Sequence, residues 1–112
     1  MAAFMLHQAA EQALIVLLKI MTGLHLNTHS IDRLIRCCAL ISDKFSGIFP
    51  RNNEKNERLF QLIQKAYIDT RYKEDYCICI DNLLILTERV RALEKLVKDV
   101  CSSSLKEVGI LD

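Results

Sequence analysis

The sequence predicts an all-α fold, an up-and-down bundle of about four helices that ends in a long C-terminal helix. Three observations lead to this prediction. The chain has 112 residues, 51% of them hydrophobic, which is enough for one domain with its own core. It contains three Gly and one Pro, far fewer than the frequent turns of a β-sandwich or barrel need. Apolar residues also recur at helical intervals along most of the chain.

The first helix is predicted over residues 3–22, where polar residues are few. Its apolar arc is much wider than the roughly 100° stripe of a surface helix. We therefore expect it to be buried on two sides, in the centre of a bundle or at a subunit interface. Gln8 and Glu11 lie on one face of it; they either mark a solvated face or bond to another helix, and both interpretations stay open. Gly23 supplies a left-handed cap at its end.

The second and third helices begin at recognisable caps. The apolar spacing of the second helix continues to Ile41, before Gly47 and Pro50 end it. Its candidate caps are Thr28, His29 and Ser30. A histidine in this position is more often a cap or a core residue than a catalyst. Asn53 is predicted to cap the third helix, whose apolar stripe consists of Leu59, Phe60, Ile63, Ala66 and Tyr67.

The last helix is predicted from about Asp75 to Cys101. Its apolar residues alternate in spacing between three and four, which is typical of left-handed helix packing. They are Tyr76, Cys79, Leu83, Leu86, Val90, Leu93, Val97 and Val100. We expect the serines at 102–104 to fray this helix, and the residues after them to form a weakly held tail.

Charge and hydropathy exclude several classes of function. The formal net charge is +1, so no overall charge attracts RNA or an anionic membrane. The most apolar stretch, residues 2–24, is interrupted by polar residues, whereas a spanning helix needs about twenty nearly uninterrupted apolar ones. No basic region precedes it, as one would in a signal peptide. We predict a protein that is not bound to a membrane.

The five cysteines stand in adjacent or alternate positions, apart from Cys101. This pattern does not fit a secreted disulfide framework, so a reducing, cytoplasmic location is predicted. Neighbouring residues on a helix point about 100° apart, so Cys37 and Cys38 cannot both face one zinc ion. We predict that the cysteines are small core residues, and that the protein holds no metal and no cofactor.

The densest polar and aromatic cluster lies at 66–76, between the third and last helices. Arg71 offers a rigid bidentate fork for phosphate or carboxylate, and Tyr67, Tyr72 and Tyr76 are suited to stacking on a base. The alternative is a structural Arg71 that pairs with an acid such as Glu11. The residues alone favour this alternative, because structural ion pairs outnumber ligand sites.

Three blocks of the sequence resemble the HEPN family, named for higher eukaryotes and prokaryotes and for nucleotide binding. In chain order they are Phe4-x-Leu6-His7-Gln8-Ala9-x-Glu11, Thr28-His29 with Leu34 downstream, and Ala66-Tyr67-x-x-x-Arg71-Tyr72. The resemblance implies an up-and-down bundle that commonly dimerises and is often fused to, or encoded beside, a nucleotidyltransferase. It implies a bundle over residues 1–104, without the helix that usually comes first in the family, and a C-terminal tail over 105–112.

One departure from the family concerns catalysis. HEPN members that cut RNA carry a His four to six residues after an Arg, whereas no His follows Arg71 in that window. Tyr76 takes the nearest place, and a phenol titrating near 10 is a poor general base at neutral pH. We therefore predict no catalytic residue and a protein that is not an enzyme.

The leading hypothesis is a HEPN-like domain that binds a nucleotide or a similar anionic ligand. Its predicted binding residues are Arg71, Tyr67, Tyr72, Tyr76, Gln8, Glu11 and His29. Two alternatives stay open: an interaction module that supports a nucleotidyltransferase domain or subunit, and a divergent metal-independent ribonuclease that uses Tyr76 with Arg71. A homodimer is expected, because a second copy would cover the wide apolar face of the first helix.

Overall fold

The structure, a computed structural model, describes residues 3–66 and 80–107, with side chains described as far as residue 103. Within these ranges the chain forms four α-helices and one 3-10 helix. They are α1 (Ala3–Thr22), α2 (Ile31–Ala39), the 3-10 helix (Asp43–Gly47), α3 (Glu54–Lys65) and α4 (Ile80–Glu107). The predicted all-α bundle with a long C-terminal helix is confirmed.

One side of helix α1 is buried in the core along its length. Its buried residues include Leu6, Ala10, Leu14 and Leu17, and it packs mainly against α4 and α2. It ends as predicted at Gly23, which has a positive φ of 74° and donates its N–H to the Lys19 carbonyl at 3.0 Å. Glycine suits this position because it adopts the left-handed conformation without steric cost.

The opposite side of α1 is not covered within the described part of this chain. Met5, Val16 and Ile20 are 56%, 45% and 56% exposed, so residues 3–66 and 80–107 do not bury α1 on two sides. By length and composition alone, α1 also qualifies as a membrane-spanning helix. Core helices and signal sequences pass the same test, so it carries no conclusion about a membrane.

Helix α2 begins at one of its three candidate caps but ends earlier than predicted. Ser30 is the cap, and its Oγ accepts the backbone N–H of Arg33 at 3.2 Å. The helix stops at Ala39, because the N–H groups of the next two residues form tighter bonds to carbonyls three residues back. Ser42 then caps a separate 3-10 helix that buries Phe45. The apolar spacing through Ile41 therefore spans two elements.

Helix α3 begins at the predicted cap, where the Asn53 side chain accepts the N–H of Asn56 at 2.8 Å. Four members of its predicted apolar stripe are buried, and Tyr67 lies outside the described residues. The buried members are Leu59, Phe60, Ile63 and Ala66. Leu59, Phe60 and Ile63 attach α3 to the common core of the bundle.

A polar cluster, Arg51 with Asp32 and Glu57, joins the start of α3 to α2. The Arg51 guanidinium donates twice to the Glu57 carboxylate at 2.6 Å, and once to Asp32 at 3.1 Å. It also lies over the Phe60 ring, 4.4 Å from the centroid. This bidentate bond lowers the pKa of Glu57 to about 2. The three residues are called the Arg51 cluster below.

Helix α4 follows the predicted packing seam wherever its residues are described. Leu86, Val90, Leu93 and Val97 are buried, and Leu83 and Val100 pack against the core from its edge. Tyr76 and Cys79 lie outside the described residues. The helix continues to Glu107, so the three serines do not end it as predicted. Serine is only a mild helix breaker, and α4 is already nucleated by its packed seam.

Candidate functional site

His29, just before α2, is bonded both through its backbone and through its ring. Two side chains of α1 hold it: Nε2 of His7 donates to its backbone carbonyl at 2.9 Å, and the Glu11 carboxylate accepts from its ring Nδ1. His7 is completely buried and Glu11 is 3% exposed, whereas the His29 side chain is 50% exposed. These three residues, the His29 cluster, present one imidazole to solvent on a buried support.

The protonation state of His7 follows from its partner. A carbonyl oxygen only accepts, so Nε2 of His7 carries the hydrogen in this bond. Burial lowers the pKa of His7 below 6.5, and its hydrogen bond to the His29 carbonyl opposes this shift in part. His7 is therefore neutral at pH 7 and serves as a fixed donor to the backbone of His29.

The bond between Glu11 and His29 defines what the exposed imidazole can do. Because the carboxylate accepts from Nδ1, the neutral ring takes the tautomer whose Nε2 is an acceptor. A buried acid that fixes the tautomer and orientation of a half-exposed imidazole is an arrangement suited to exchanging a proton or, once protonated, to holding an anion.

At the N-terminus of α2, next to His29, the N–H groups of Ser30, Asp32 and Arg33 already have protein acceptors. Thr28 Oγ1 accepts the N–H of Ser30 at 3.2 Å, and Ser30 Oγ accepts that of Arg33. Gln64 of α3 accepts the N–H of Asp32 through Oε1, and donates through Nε2 to Ser30 Oγ, both at 3.1 Å. A phosphate at this end would find few backbone donors, so charged side chains would have to bind it.

Both ends of the range 67–79 attach to the bundle near this cluster. Ala66, which precedes the range, lies two residues after Gln64 and is buried. Asn82, just after the range, lines a groove of about 920 Å³ together with Lys65 of α3. The chain therefore leaves and re-enters the described structure at the end of the bundle where α2 begins.

The structure brings together two of the seven predicted site residues, Glu11 and His29. For Glu11 it supports a hydrogen bond to another element rather than a solvated face. Gln8 is half-buried on the same helix and forms no side-chain hydrogen bond with a described residue. The other four lie outside the described residues: Tyr67, Arg71, Tyr72 and Tyr76.

Sequence reasoning missed two contributors to this region, His7 and Gln64. His7 was noticed only as part of a motif, and its partner lies 22 residues away. Gln64 lies 34 residues from Ser30, and no local pattern distinguishes it from its neighbour Gln61. An apolar helix that carries both a histidine and an acid within one turn, as α1 does, was the one available signal.

The cysteines that are described behave as core residues. Cys38 is fully buried, burial raises the pKa of its thiol to about 12, and Sγ approaches the Leu14 carbonyl at 3.8 Å. Such a thiol is a poor metal ligand and nucleophile. Over residues 3–66 and 80–103, no three His, Cys, Asp or Glu side chains are grouped as a metal site would require. Cys77 and Cys79 lie between these ranges.

Comparison with known proteins places these observations in a family context. A family model described as the HEPN domain matches residues 1–106, which is nearly the whole chain. Among curated proteins, none matches the sequence. The matched range covers α1, α2 and α3, the His29 cluster and nearly all of α4.

Proposed function

The chain belongs to the HEPN family, and from that premise we propose that it binds a nucleotide or a similar anionic ligand without cleaving it. The binding site is the end of the bundle at which Glu11 holds His29. One observation carries the proposal: a half-exposed imidazole rests on a buried carboxylate, beside the points where the Arg71-bearing range attaches.

Chain connectivity supports a role for Arg71 at this site. Arg71 follows the buried Ala66 by five residues, so its backbone lies within about 18 Å of that point. Gln64, two residues before Ala66, contacts Ser30 at 3.1 Å, and Ser30 follows His29 directly. A chain of five residues from Ala66 is long enough for the Arg71 guanidinium to approach the His29 ring, as the proposal requires.

The chemistry of the site also calls for a side-chain cation. The first-turn donors of α2 are occupied by Ser30 and Gln64, and Glu11 brings a negative charge that disfavours an anion. A guanidinium binds phosphate bidentately and is always charged, which offsets both effects. In the proposed site Arg71 binds phosphate, and Gln8 and His29 add polar contacts. The stacking surface for a base consists of Tyr67, Tyr72 and Tyr76.

The test is calorimetric titration of the protein with ATP, GTP and inorganic phosphate. We expect saturable binding that Arg71→Ala weakens by about a hundredfold, since a charged hydrogen-bond partner contributes about 3 kcal/mol. Arg58→Ala is the matched control, because Arg58 is 75% exposed and pairs only with Glu54 within its own helix. Equal affinity of both variants would remove Arg71 from the site, and no binding by the wild type would refute the proposal.

A second candidate function, metal-independent RNA cleavage, is favoured by the bond between Glu11 and His29. His29 on Glu11 is a better general base at neutral pH than the Tyr76 phenol. It would deprotonate a ribose 2′-hydroxyl, whose oxygen bonds to the adjacent phosphorus to form a 2′,3′-cyclic phosphate while the bond to the 5′-oxygen breaks; the leaving 5′-oxygen takes a proton from water and departs as an alcohol. This candidate predicts RNA cleavage in EDTA that His29→Ala abolishes, whereas Tyr76→Phe would abolish it if Tyr76 were the base. Intact RNA with the wild type would exclude it.

We also propose that two copies pair through the uncovered side of α1. This surface consists of Met5, Ala9, Gln12, Val16 and Ile20, which follow one line along the helix. Lys19 is the one exposed charged residue of α1, since Glu11 is buried. An apolar, nearly uncharged stripe complements a copy of itself better than it complements a charged surface.

The charge of Lys19 favours an antiparallel pair. Centred between Gln12 and Ala13, such a pair sets Met5 against the partner's Ile20, and Ala9 against the partner's Val16. The two lysines then lie roughly 20 Å apart along the axis, whereas a parallel pair would bring them together. At the second of these contacts the small Ala9 faces the larger Val16, which lets the two helices approach closely there.

Sedimentation equilibrium at micromolar concentration tests this pairing. Met5→Lys and Ile20→Glu should each give monomers, and an equimolar mixture of the two should dimerise, because only an antiparallel pair opposes the new charges. Leu84→Glu, on the exposed side of α4, is the control and should remain dimeric. A monomeric wild type would refute the proposal. Pairing that instead requires a nucleotidyltransferase subunit would favour the role of an interaction module.

A further inference from the structure

We propose that Gln64 is a positioning residue, which fixes the turn carrying His29 relative to the chain that leads to Arg71. The turn comprises residues 28–32 and is called the His29 turn. The inference rests on the function proposed above, but it concerns a residue that lies in none of the family motifs noted in the sequence. Its basis is that Gln64 bridges two elements that the proposed site must keep in register.

The contacts of Gln64 are made at both ends of its amide. Oε1 accepts the backbone N–H of Asp32, and Nε2 donates to the hydroxyl of Ser30, each at 3.1 Å. Ser30 also caps α2 through Arg33. One side chain of α3 therefore satisfies part of the N-terminus of α2 and holds its capping residue, so the amide has a single orientation.

The His29 turn is thus held from two sides. On the α1 side, His7 bonds to the backbone of His29 and Glu11 bonds to its ring. On the α3 side, Gln64 bonds to the residue that follows His29 and to Asp32. Gln64 is the described side chain of α3 that bonds directly to this turn; the other link from α3 to the turn is indirect, from Glu57 through Arg51 to Asp32.

The contact matters for the proposed site because Gln64 lies near the end of α3, just before the range that contains Arg71. Gln64 lies in the last turn of α3, and the range 67–79 begins three residues after it, at Tyr67. Any ligand that binds His29 and Arg71 together depends on the distance between the His29 turn and this end of α3. Gln64 bonds the turn to this end of α3, whereas the Arg51 cluster bonds Asp32 to the start of α3.

Gln61 is a matched comparison for Gln64. Both are half-buried glutamines on α3, three residues apart. Gln61 donates to Glu57 within its own helix at 3.1 Å, so its bond joins no second element. Methionine has nearly the shape of glutamine without the amide, so Gln64→Met and Gln61→Met remove hydrogen bonds while keeping packing.

The first measurement is the affinity for ATP by calorimetry, at a temperature where all variants are folded. We expect Gln64→Met to weaken binding about tenfold, the effect of roughly one net hydrogen bond, and Gln61→Met to leave it unchanged. In an Arg71→Ala background, Gln64→Met should have little further effect, because positioning matters only when Arg71 is present. Fully additive losses would overturn the positioning role.

The second measurement needs no ligand and separates failure of this inference from failure of the proposed function. Ring resonances of His29, followed by NMR, should shift in Gln64→Met and remain in place in Gln61→Met. Gln64→Glu keeps an acceptor for Asp32 and should preserve the wild-type ring resonances. If Gln64→Met leaves the His29 ring unchanged, Gln64 does not position it. If the ring shifts but the wild type binds no nucleotide, the positioning stands and the ligand proposal falls.

Discussion

Two polar clusters connect the loops of this bundle to its helices, and they do so in opposite ways. In the Arg51 cluster, a partly exposed guanidinium is fully occupied by Glu57 and Asp32 and by the Phe60 ring. In the His29 cluster, the supporting groups His7 and Glu11 are buried and the supported ring is half exposed.

The difference separates a structural contact from a candidate site. Surface ion pairs stabilise a protein only slightly. In the Arg51 cluster the charged groups pair with one another. Burying a carboxylate is costly unless it is bonded, and the His29 cluster bears this cost to orient a ring that faces solvent. We interpret the Arg51 cluster as a structural contact between α2 and α3, and the His29 cluster as part of a binding site.

The largest expected effect comes from removing the buried acid. Glu11→Ala deletes the acceptor of the His29 ring and leaves a space among buried groups, so we expect a loss of about 2 kcal/mol in the free energy of unfolding. Urea denaturation at pH 7 measures it. Glu57→Ala, in the exposed cluster, should cost clearly less. If the Glu57 variant were the more destabilised of the two, the contrast between the clusters would be wrong.

The second largest expected effect is that of pH on the free energy of unfolding, which should differ between the two clusters. The pKa of His7 is lowered in the folded state, so the unfolded chain takes up a proton first as the pH falls. Stability is therefore unaffected above the unfolded value of about 6.5 and decreases as the pH falls below it, at most by about 1.4 kcal/mol per pH unit.

The matched variant is His7→Gln, whose amide can replace the Nε2 donor but does not titrate. Urea unfolding at pH 7.5 and 5.5 should show a smaller loss in this variant than in the wild type. The Arg51 cluster responds in a lower window: because the pKa of Glu57 is depressed to about 2, its contribution is present above about 4.5 and is lost toward pH 2. Equal losses in wild type and His7→Gln would exclude His7 as the cause.

The smallest expected effect is that of salt. The Arg51 cluster is partly exposed, so 1 M NaCl, with a screening length of about 3 Å, should reduce its small contribution. The bond of Glu11 is buried and should be little affected. A double-mutant cycle on Arg51 and Glu57, measured by thermal unfolding at low and high salt, should show the coupling energy falling. A coupling energy that is unchanged by salt would contradict this assignment.

The local features of the fold were predictable, and the long-range ones were not. Gly23 and Asn53 could be identified as caps, and Ser30 as one of three candidates, because capping depends on residues within one turn. The end of α2 was missed because the apolar spacing through Ile41 runs on across the break into the 3-10 helix.

The candidate site shows the same division. Glu11 and His29 were named as candidates from motif and composition, but their mutual bond, across 18 residues, is a property of the folded chain. The bridging role of Gln64 spans 34 residues, and nothing in the spacing of α3 separates it from Gln61. Burial, which turns Glu11 into a support for His29, depends on how α1 packs and was left open by the sequence.

The central claim is that the ring held by Glu11 faces a ligand, and one titration tests it most directly. ATP is added to the protein while the ring resonances of His29 and His25 are followed by NMR; His25 is exposed in the preceding loop and serves as an internal control. The account predicts a saturable shift of His29 alone, lost in Arg71→Ala and retained in Arg58→Ala. A His29 resonance that does not move at millimolar ATP would contradict it.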